Sequence, residues 1–168
     1  MQVFPATSTD AYKSLARTWA ATVTVVTAHR TEGSPALDGF TATAFLTVSM
    51  APPIIVVSVT AASAALTVLR ECTGFAVNFL APSQVDLGNA FARPHTERAA
   101  LWDQLPWSAD EHGAPILGGV VGAFSAKLRQ LVDAGDHVLV LGDVTQIRVG
   151  EQTDTLVYHN RGYGHVAR

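Results

Sequence analysis

Between Val120 and Val149 the sequence carries a long apolar–polar alternation and a second long strand-like run, separated by Asp133-Ala134-Gly135-Asp136. In the first, Val120, Gly122, Phe124, Ala126 and Leu128 share one face and Ser125, Lys127 and Arg129 the other, the period-two pattern of a half-buried strand. The intervening tetrapeptide has the composition of a hairpin turn, so His137–Val149 is expected to return antiparallel to Val120–Leu131. Strands this long, joined this tightly, favour an antiparallel barrel or a strongly bent sheet. A parallel doubly wound fold needs a helix after nearly every strand, and the second half of the chain supplies none.

The first half adds strands to that hairpin. Ser8–Trp19 reads as a helix, with Tyr12, Leu15, Ala16 and Trp19 on one face and Ser8 or Thr9 as N-cap. Ala21–His29 is β-branched and unbroken, hence a strand; Thr31-Glu32-Gly33-Ser34-Pro35 is a turn, and Ala36–Ala44 returns antiparallel. Met50-Ala51-Pro52-Pro53 must interrupt any ladder, since proline has no N–H. Ile54–Val59 is the next strand, continuous enough in apolar character to suggest burial on both faces. Ala62–Cys72 reads as a helix with Gly74 at its C-cap, and Phe75–Leu80 as a strand. Ser83 and Asp86 suggest a capping box before a short helix ending near Phe91. Arg93–Pro115 reads as a long loop with at most one helical turn, and Thr155–His159 as a last short strand. Six or seven strands and two or three peripheral helices result, with no repeat or linker, so residues 1–168 are expected to form one domain.

Composition narrows the partners. Only 15% of residues are charged, against roughly 25% in soluble domains, which points to surface buried against another subunit. A net charge of -3 argues against nucleic acid as partner. A single cysteine, Cys72, fits a reducing compartment. Neither a secretory signal at Met1–Pro5 nor an apolar run long enough to span a bilayer is present. A cytoplasmic protein with no membrane partner is expected.

The usual reactive constellations are missing. No G-x-G-x-x-G, Walker lysine or G-x-S-x-G motif occurs, and the six histidines are not at metal-ligand spacing; no metal is expected. Cys72 sits in a helical pattern as a small core residue. What remains is Gly39–Thr67: small and hydroxyl residues at Thr41-Ala42-Thr43-Ala44, then a hydroxyl-rich turn from Ser58 to Ser63 opening a helix. Small residues let a ligand approach backbone, and hydroxyls at a helix start hold an anion. Each part has a plainer reading as well, the first as a strand edge suited to threonine and the second as an ordinary capped helix. A cradle without reactive side chains leaves the chemistry to a cofactor.

Three spaced motifs resemble one family. Ala21-Thr22-Val23-Thr24-Val25-Val26-Thr27 resembles the opening strand of the flavin reductase-like, FMN-binding split-barrel proteins. Gly39–Phe45 with Val48-Ser49-Met50-Ala51-Pro52-Pro53 resembles their flavin-binding segment. Ala134-Gly135-Asp136-His137 with Leu141-Gly142-Asp143-Val144 resembles their late hairpin, and Tyr158–Tyr163 their ending. The resemblance implies a mainly β, antiparallel Greek-key split β-barrel with a few peripheral helices, dimeric, binding FMN or FAD. It implies an NAD(P)H:flavin oxidoreductase, with NADH or NADPH as hydride donor from nicotinamide C4 to flavin N5, supplying reduced flavin to a separate oxygenase component. By the same resemblance Thr41, Ala42, Thr43 and Ala44 lie along the isoalloxazine ring and ribityl chain. Ser58, Thr60, Ser63 and Thr67 surround the phosphate. Phe91 and Arg93 flank the flavin, His137 orients the nicotinamide, and Tyr163 belongs to the opposite wall. Thr43 and Ala44 depart from the Asn or Ser and the Ser common in the family. No side chain is expected to act as acid or base.

Two other functions fit the same cradle: an oxidase or monooxygenase keeping its flavin and acting on its own substrate, and a non-enzymatic flavin-binding protein. The residues do not separate FMN from FAD. The lack of an evident arginine pair for a 2′-phosphate favours NADH over NADPH. Trp102 and Trp107 are expected as packing anchors. Tyr158, His159, Arg161 and Tyr163 are read either as interface or nicotinamide contacts or as a plain tail.

Overall fold

The computed structural model describes residues 1–30, 32 and 36–166. In chain order the elements are α1 (Thr9–Ala16), β1 (Ala21–Thr22), β2 (Thr24–Arg30), β3 (Leu37–Ala42), β4 (Phe45–Met50), β5 (Pro53–Thr60), α2 (Ala64–Glu71) and β6 (Cys72–Phe79). They continue with α3 (Val85–Phe91), α4 (His95–Arg98), β7 (Trp107–Ala109), β8 (Pro115–Leu117), β9 (Gly122–Ala134), β10 (His137–Val149), β11 (Val157–His159) and β12 (Gly162–Gly164). Short 3₁₀ turns at Pro82–Gln84 and Ala99–Leu101 precede α3 and follow α4.

The long hairpin is where its alternation placed it: β9 and β10 pair antiparallel from His137↔Ala134 to Val149↔Gly122, around Gly135 at φ +66°. The strand order of the main sheet is β3-β2-β6-β9-β10-β5-β4, antiparallel throughout. β3 and β4 therefore occupy opposite edges, yet only Thr43 and Ala44 separate them in sequence. Ala42 and Phe45 lie at most about 11 Å apart, three steps of 3.8 Å, so the sheet must curl until its edges meet. The Ser58 N–H, donating to the Ala44 carbonyl at 2.9 Å, fastens β5 beside that crossing.

The inner face packs Val26, Ile55, Val57, Phe75, Val77, Val138 and Val140 under Leu66, Val68 and Leu69 of α2. Part of the outer face is covered too, because the β7–β8 hairpin lays Ala114 and Ile116 over Ala76 and Ala123. Asn78 pins that hairpin: its amide nitrogen donates to the Val25 and Pro115 carbonyls at 3.1 and 3.2 Å, and its oxygen accepts the Leu117 N–H at 2.9 Å. A second cluster, including Val23, Leu80, Phe91, Leu117 and Leu156, closes the end of the sheet.

Several local expectations are corrected. Phe45–Met50 is a strand before the proline pair, and Pro53, lacking an N–H, takes the tolerated first position of β5. β5 is buried on one face only, at Ile55, Val57 and Val59, since its apolar run mixes core and rim positions. The helix of residues 62–72 ends at Glu71 and the chain enters β6 directly, so Gly74 is a strand residue and no C-cap. A Cβ on Gly74 would lie 2.5 Å from the His112 ring, so close packing explains the glycine. The 3₁₀ turn before α3 is closed by Gln84, whose Oε1 accepts the Ala81 N–H at 3.0 Å; α3 itself has no side-chain cap, and Ser83 makes none. Ser8 is the N-cap of α1, accepting the Ala11 N–H at 3.4 Å. The apolar face of α1 is uncovered, with Tyr12, Leu15 and Trp19 at 74, 75 and 78% exposure. The turn expected over 31–35 lies, apart from residue 32, outside the described residues. Among the described residues no helix is long and apolar enough to cross a membrane.

Candidate functional site

The crossing between the sheet edges is also where cavities converge. One pocket of about 400 Å³ is walled by Phe40–Ala44 on one side and by Ser58, Val59, Thr60 and Ser63 on the other. Phe91, Ala92, Arg98 and His137 complete it. Thr43 also borders two neighbouring cavities. The first, of about 360 Å³, includes Thr41, Asn89, Tyr158, Arg161 and Tyr163; the second, of about 620 Å³, includes Ala44, Trp19 and the end of α1. The three form one groove with exposed Thr43 at their junction.

Local physics sets what each wall presents. β3 is an edge strand, so alternate backbone groups along it have no strand partner. The Thr41 hydroxyl is already committed, donating to the Gly88 carbonyl at 2.6 Å, which leaves small side chains and main chain facing the groove. Across from it, Ser63 stands at the N-cap of α2 without making a capping bond. Its hydroxyl and that of Ser58 have no hydrogen-bond partner among the described residues and stand where an anion would meet the positive end of the helix, while the Thr60 hydroxyl lies 3.4 Å from His137 Nε2. The Ala61 N–H donates to the Asp136 carbonyl at 2.9 Å, tying this turn to the β9–β10 hairpin.

That tie sets His137 on the rim. Its Nδ1 lies 2.7 Å from Asp136 Oδ1 and its Nε2 3.4 Å from Thr60 Oγ1. A carboxylate only accepts, so a neutral ring carries its proton on Nδ1 and its Nε2 accepts, with the Thr60 hydroxyl in reach as donor. The hydrogen bond from His137, and next its charge, hold the Asp136 carboxyl below the usual carboxylate range.

Most of the residues expected from sequence are brought together: Thr41–Ala44, Ser58, Thr60, Ser63, Phe91 and His137 share one pocket. Three stand elsewhere. Thr67 is on the exposed side of α2 and Arg93 is exposed after α3; neither lines the pocket. Tyr163 lines the adjoining cavity, stacked edge-on to Tyr158 at 5.2 Å. Burial, then Tyr158, raises its phenol above the ordinary range. Phe91 is fully buried against Trp102, at 5.2 Å between ring centres, so it is wall rather than platform. Trp107 donates its indole N–H to the Trp102 carbonyl at 3.1 Å, and both tryptophans serve packing as expected.

The cation that reaches the pocket is Arg98, five residues beyond the expected one. It is 6% exposed and pairs with the equally buried Asp38 at 3.2 Å. His95 Nδ1 approaches the same carboxylate at 3.1 Å, and the Gly39 N–H donates to it at 2.7 Å. Burial lowers the Arg98 guanidinium's proton affinity and Asp38 restores part of it. Its Nε has no partner, an orphaned donor beside a pocket of hydroxyls, and this donor set fits an anionic group such as a phosphate. The signal available in the sequence was weak, since Asp38 and Arg98 are distant and only the packing of α4 against β3 joins them.

The fold is an antiparallel β sheet curled around a groove, and comparison with known proteins says to which family it belongs. Residues 16–167 match the family described as "Flavin reductase like domain", and the chain belongs to that family. It is 40% identical over 122 residues to the reductase component of the flavin-dependent trigonelline monooxygenase of Acinetobacter baylyi, covering 73% of this chain. The chain spans 38% of that relative's length. It is 33% identical over 156 residues to the NADH:FMN oxidoreductase of Rhodococcus erythropolis, covering 90% of this chain and 79% of that protein. Among solved structures, BorF, the flavin reductase component of a bacterial two-component tryptophan halogenase, superposes with a TM-score of 0.84 at 28% identity, over 96% of this chain and 99% of that one.

Proposed function

We propose that the protein is an NAD(P)H:flavin oxidoreductase that supplies reduced FMN or FAD to a separate oxygenase component, acting as a homodimeric split barrel in the cytoplasm. The observation that carries the reading is the pocket itself. A wall of small residues and open main chain, Thr41–Ala44, faces Ser58, Thr60, Ser63 and Arg98, a buried cation whose Nε has no partner. A flat heteroaromatic ring with a phosphorylated chain matches that division. A flavin held here would supply the redox chemistry, with a nicotinamide as hydride donor. The protein's own work is positional. Thr41–Ala44 offer backbone donors and acceptors to the polar edge of the ring, and the hydroxyls with Arg98 hold the phosphate. His137, its tautomer set by Asp136, offers Nε2 to the carboxamide of the nicotinamide. No side chain needs to exchange a proton for hydride transfer to proceed.

The test is NADH and NADPH oxidation followed by absorbance while free FMN or FAD is raised. Saturable, flavin-dependent oxidation is expected. Tight flavin binding with no nicotinamide consumed at any flavin concentration would overturn the reductase in favour of a flavin-binding protein. Turnover of an organic substrate without an oxygenase present would favour a self-contained monooxygenase.

A further inference from the structure

Among the described residues that line the pocket of Thr41–Ala44, Arg98 is the only lysine or arginine, and its guanidinium is held at both ends. Nη1 donates to the carbonyl of Phe91, the last residue of α3, at 3.3 Å. Nη2 lies 3.2 and 3.3 Å from the two carboxylate oxygens of Asp38 on β3. A planar fork tied through both terminal nitrogens to two different elements keeps a single orientation. Nε is the nitrogen that these ties leave without a partner.

Asp38 is fixed as firmly as the arginine. It is buried, its Oδ1 accepts the Gly39 N–H at 2.7 Å, and its Oδ2 faces His95 Nδ1 at 3.1 Å. A carboxylate only accepts, so His95 donates from Nδ1. One oxygen therefore rests on the backbone of β3, the other on the first residue of α4, and Arg98 Nη2 sits between them. The strand beneath is pressed into place, since a Cβ on Gly39 would lie 3.0 Å from the Phe91 ring and 3.1 Å from the Trp102 ring. Neither Asp38 nor His95 lines the pocket, yet the pocket wall begins at Phe40, two residues beyond Asp38 on the same strand.

We propose that Asp38, steadied by His95, is a positioning residue for Arg98. It fixes the guanidinium that meets the ligand's phosphate and thereby sets a preference for a phosphorylated flavin over riboflavin. An apolar pair of similar volume is commonly as stable as a buried ion pair; what the ion pair adds here is a fixed direction for the cation. The inference rests on the reading of this pocket as a flavin site and extends it to two residues that touch no ligand.

The experiment titrates FMN and riboflavin against the wild type, Asp38→Asn, Arg98→Met and the double variant. Asp38→Asn keeps an acceptor for the Gly39 N–H and removes the charge opposite Arg98. It is expected to weaken FMN binding by about ten- to a hundredfold, the worth of a hydrogen bond to a charged group, and to leave riboflavin unchanged. In the Arg98→Met background the same substitution is expected to change FMN affinity no further, because a positioning residue acts only through the residue it positions. The double variant buries no unpaired cation, so this comparison survives if Asp38→Asn alone does not fold. His95→Ala, which leaves the ion pair whole, is expected to shift FMN affinity in the same direction by less. Without any flavin, the Arg98 Nε proton is expected to give a resolved, slowly exchanging NMR resonance in the wild type. Arg98→Met assigns that resonance by removing it, and in Asp38→Asn it is expected to exchange fast. A parallel loss of FMN and riboflavin would make Asp38 a structural part and overturn the inference. So would an equal loss from Asp38→Asn with and without Arg98, or an Nε resonance indifferent to Asp38. A wild type that binds neither flavin, with the Nε resonance still dependent on Asp38, would sink the flavin reading and the preference while upholding the grip of Asp38 on Arg98. Selective FMN binding with no NADH oxidation would sink the reductase and uphold the positioning role.

Discussion

Cys72 shows how one residue's environment decides its chemistry. It lies at the start of β6, buried, with its thiol donating to the Leu69 carbonyl at 3.3 Å. Burial pushes its pKa from 9.0 up to about 11. The folded thiol therefore stays protonated where the unfolded one ionises. Its contribution to stability is full below pH 9 and is lost as pH rises toward 11. Two pH units at 1.36 kcal/mol each give about 2–3 kcal/mol as the largest effect. Denaturant unfolding between pH 8 and 11 is expected to show this loss in the wild type and less of it in Cys72→Ala. A thiol reagent at pH 8 should modify the native protein far more slowly than the unfolded chain. Arg98 belongs to the same scale with the opposite lesson. Its burial beside Asp38 leaves one donor unused, and that unused donor marks the pocket more sharply than exposed Arg93 does.

Among elements, legibility followed periodicity. β10 is where the alternation of β9 and the Gly135 turn put it, because a tight turn after a long strand leaves the returning chain no other partner. α2 and α3 were recognised, α3 through Phe91 as expected, but the end of α2 and the cap before α3 were misjudged. A helix that runs straight into a strand has no cap to read, and the Gln84–Ala81 bond involves an alanine that no capping pattern includes. Strands of three residues, β7, β8, β11 and β12, fall below what periodicity resolves, and β8 exists because Asn78 holds it. In the candidate site, the stretch Thr41–Ser63 was legible as a local segment. The contribution of Arg98 depends on tertiary packing between distant parts of the chain. Gly142 sharpens the point for β10. It sits at a register shift against β9, and a Cβ there would lie 2.7 Å from the Phe75 ring and 2.8 Å from the Ala126 methyl. Gly142→Ala is expected to cost about 1–3 kcal/mol by overpacking. An unchanged urea midpoint would show that the sheet yields there more easily than its packing implies.

At the scale of the whole molecule, the surface is unfinished. Tyr12 and Leu15 on α1, Trp19 just beyond it, Leu46, Val48 and Met50 along edge strand β4, and Ile147 and Val149 at the end of β10 are all exposed apolar side chains. β4 also leaves one edge of the main sheet open. Large apolar side chains along a sheet edge are a hazard in a monomer and a resource in a dimer. Sedimentation equilibrium is expected to give twice the 17.7 kDa chain mass. Leu46→Asp with Met50→Asp is expected to shift the population toward monomer while circular dichroism stays native. A wild type that sediments as a monomer at micromolar concentration would remove the dimer.

The crossing at Thr43–Ala44 makes cofactor occupancy a mechanical matter. The two residues that stitch one edge of the sheet to the other also stand at the meeting point of the groove's three cavities. A ligand lying against them spans the seam from outside, so loosening the seam and releasing the ligand are coupled events. Amide hydrogen exchange is therefore expected to slow on saturation with FMN at Thr43, Ala44 and Ser58 more than in the distant β9–β10 ladder. Uniform slowing across the sheet would place the coupling in global stability instead.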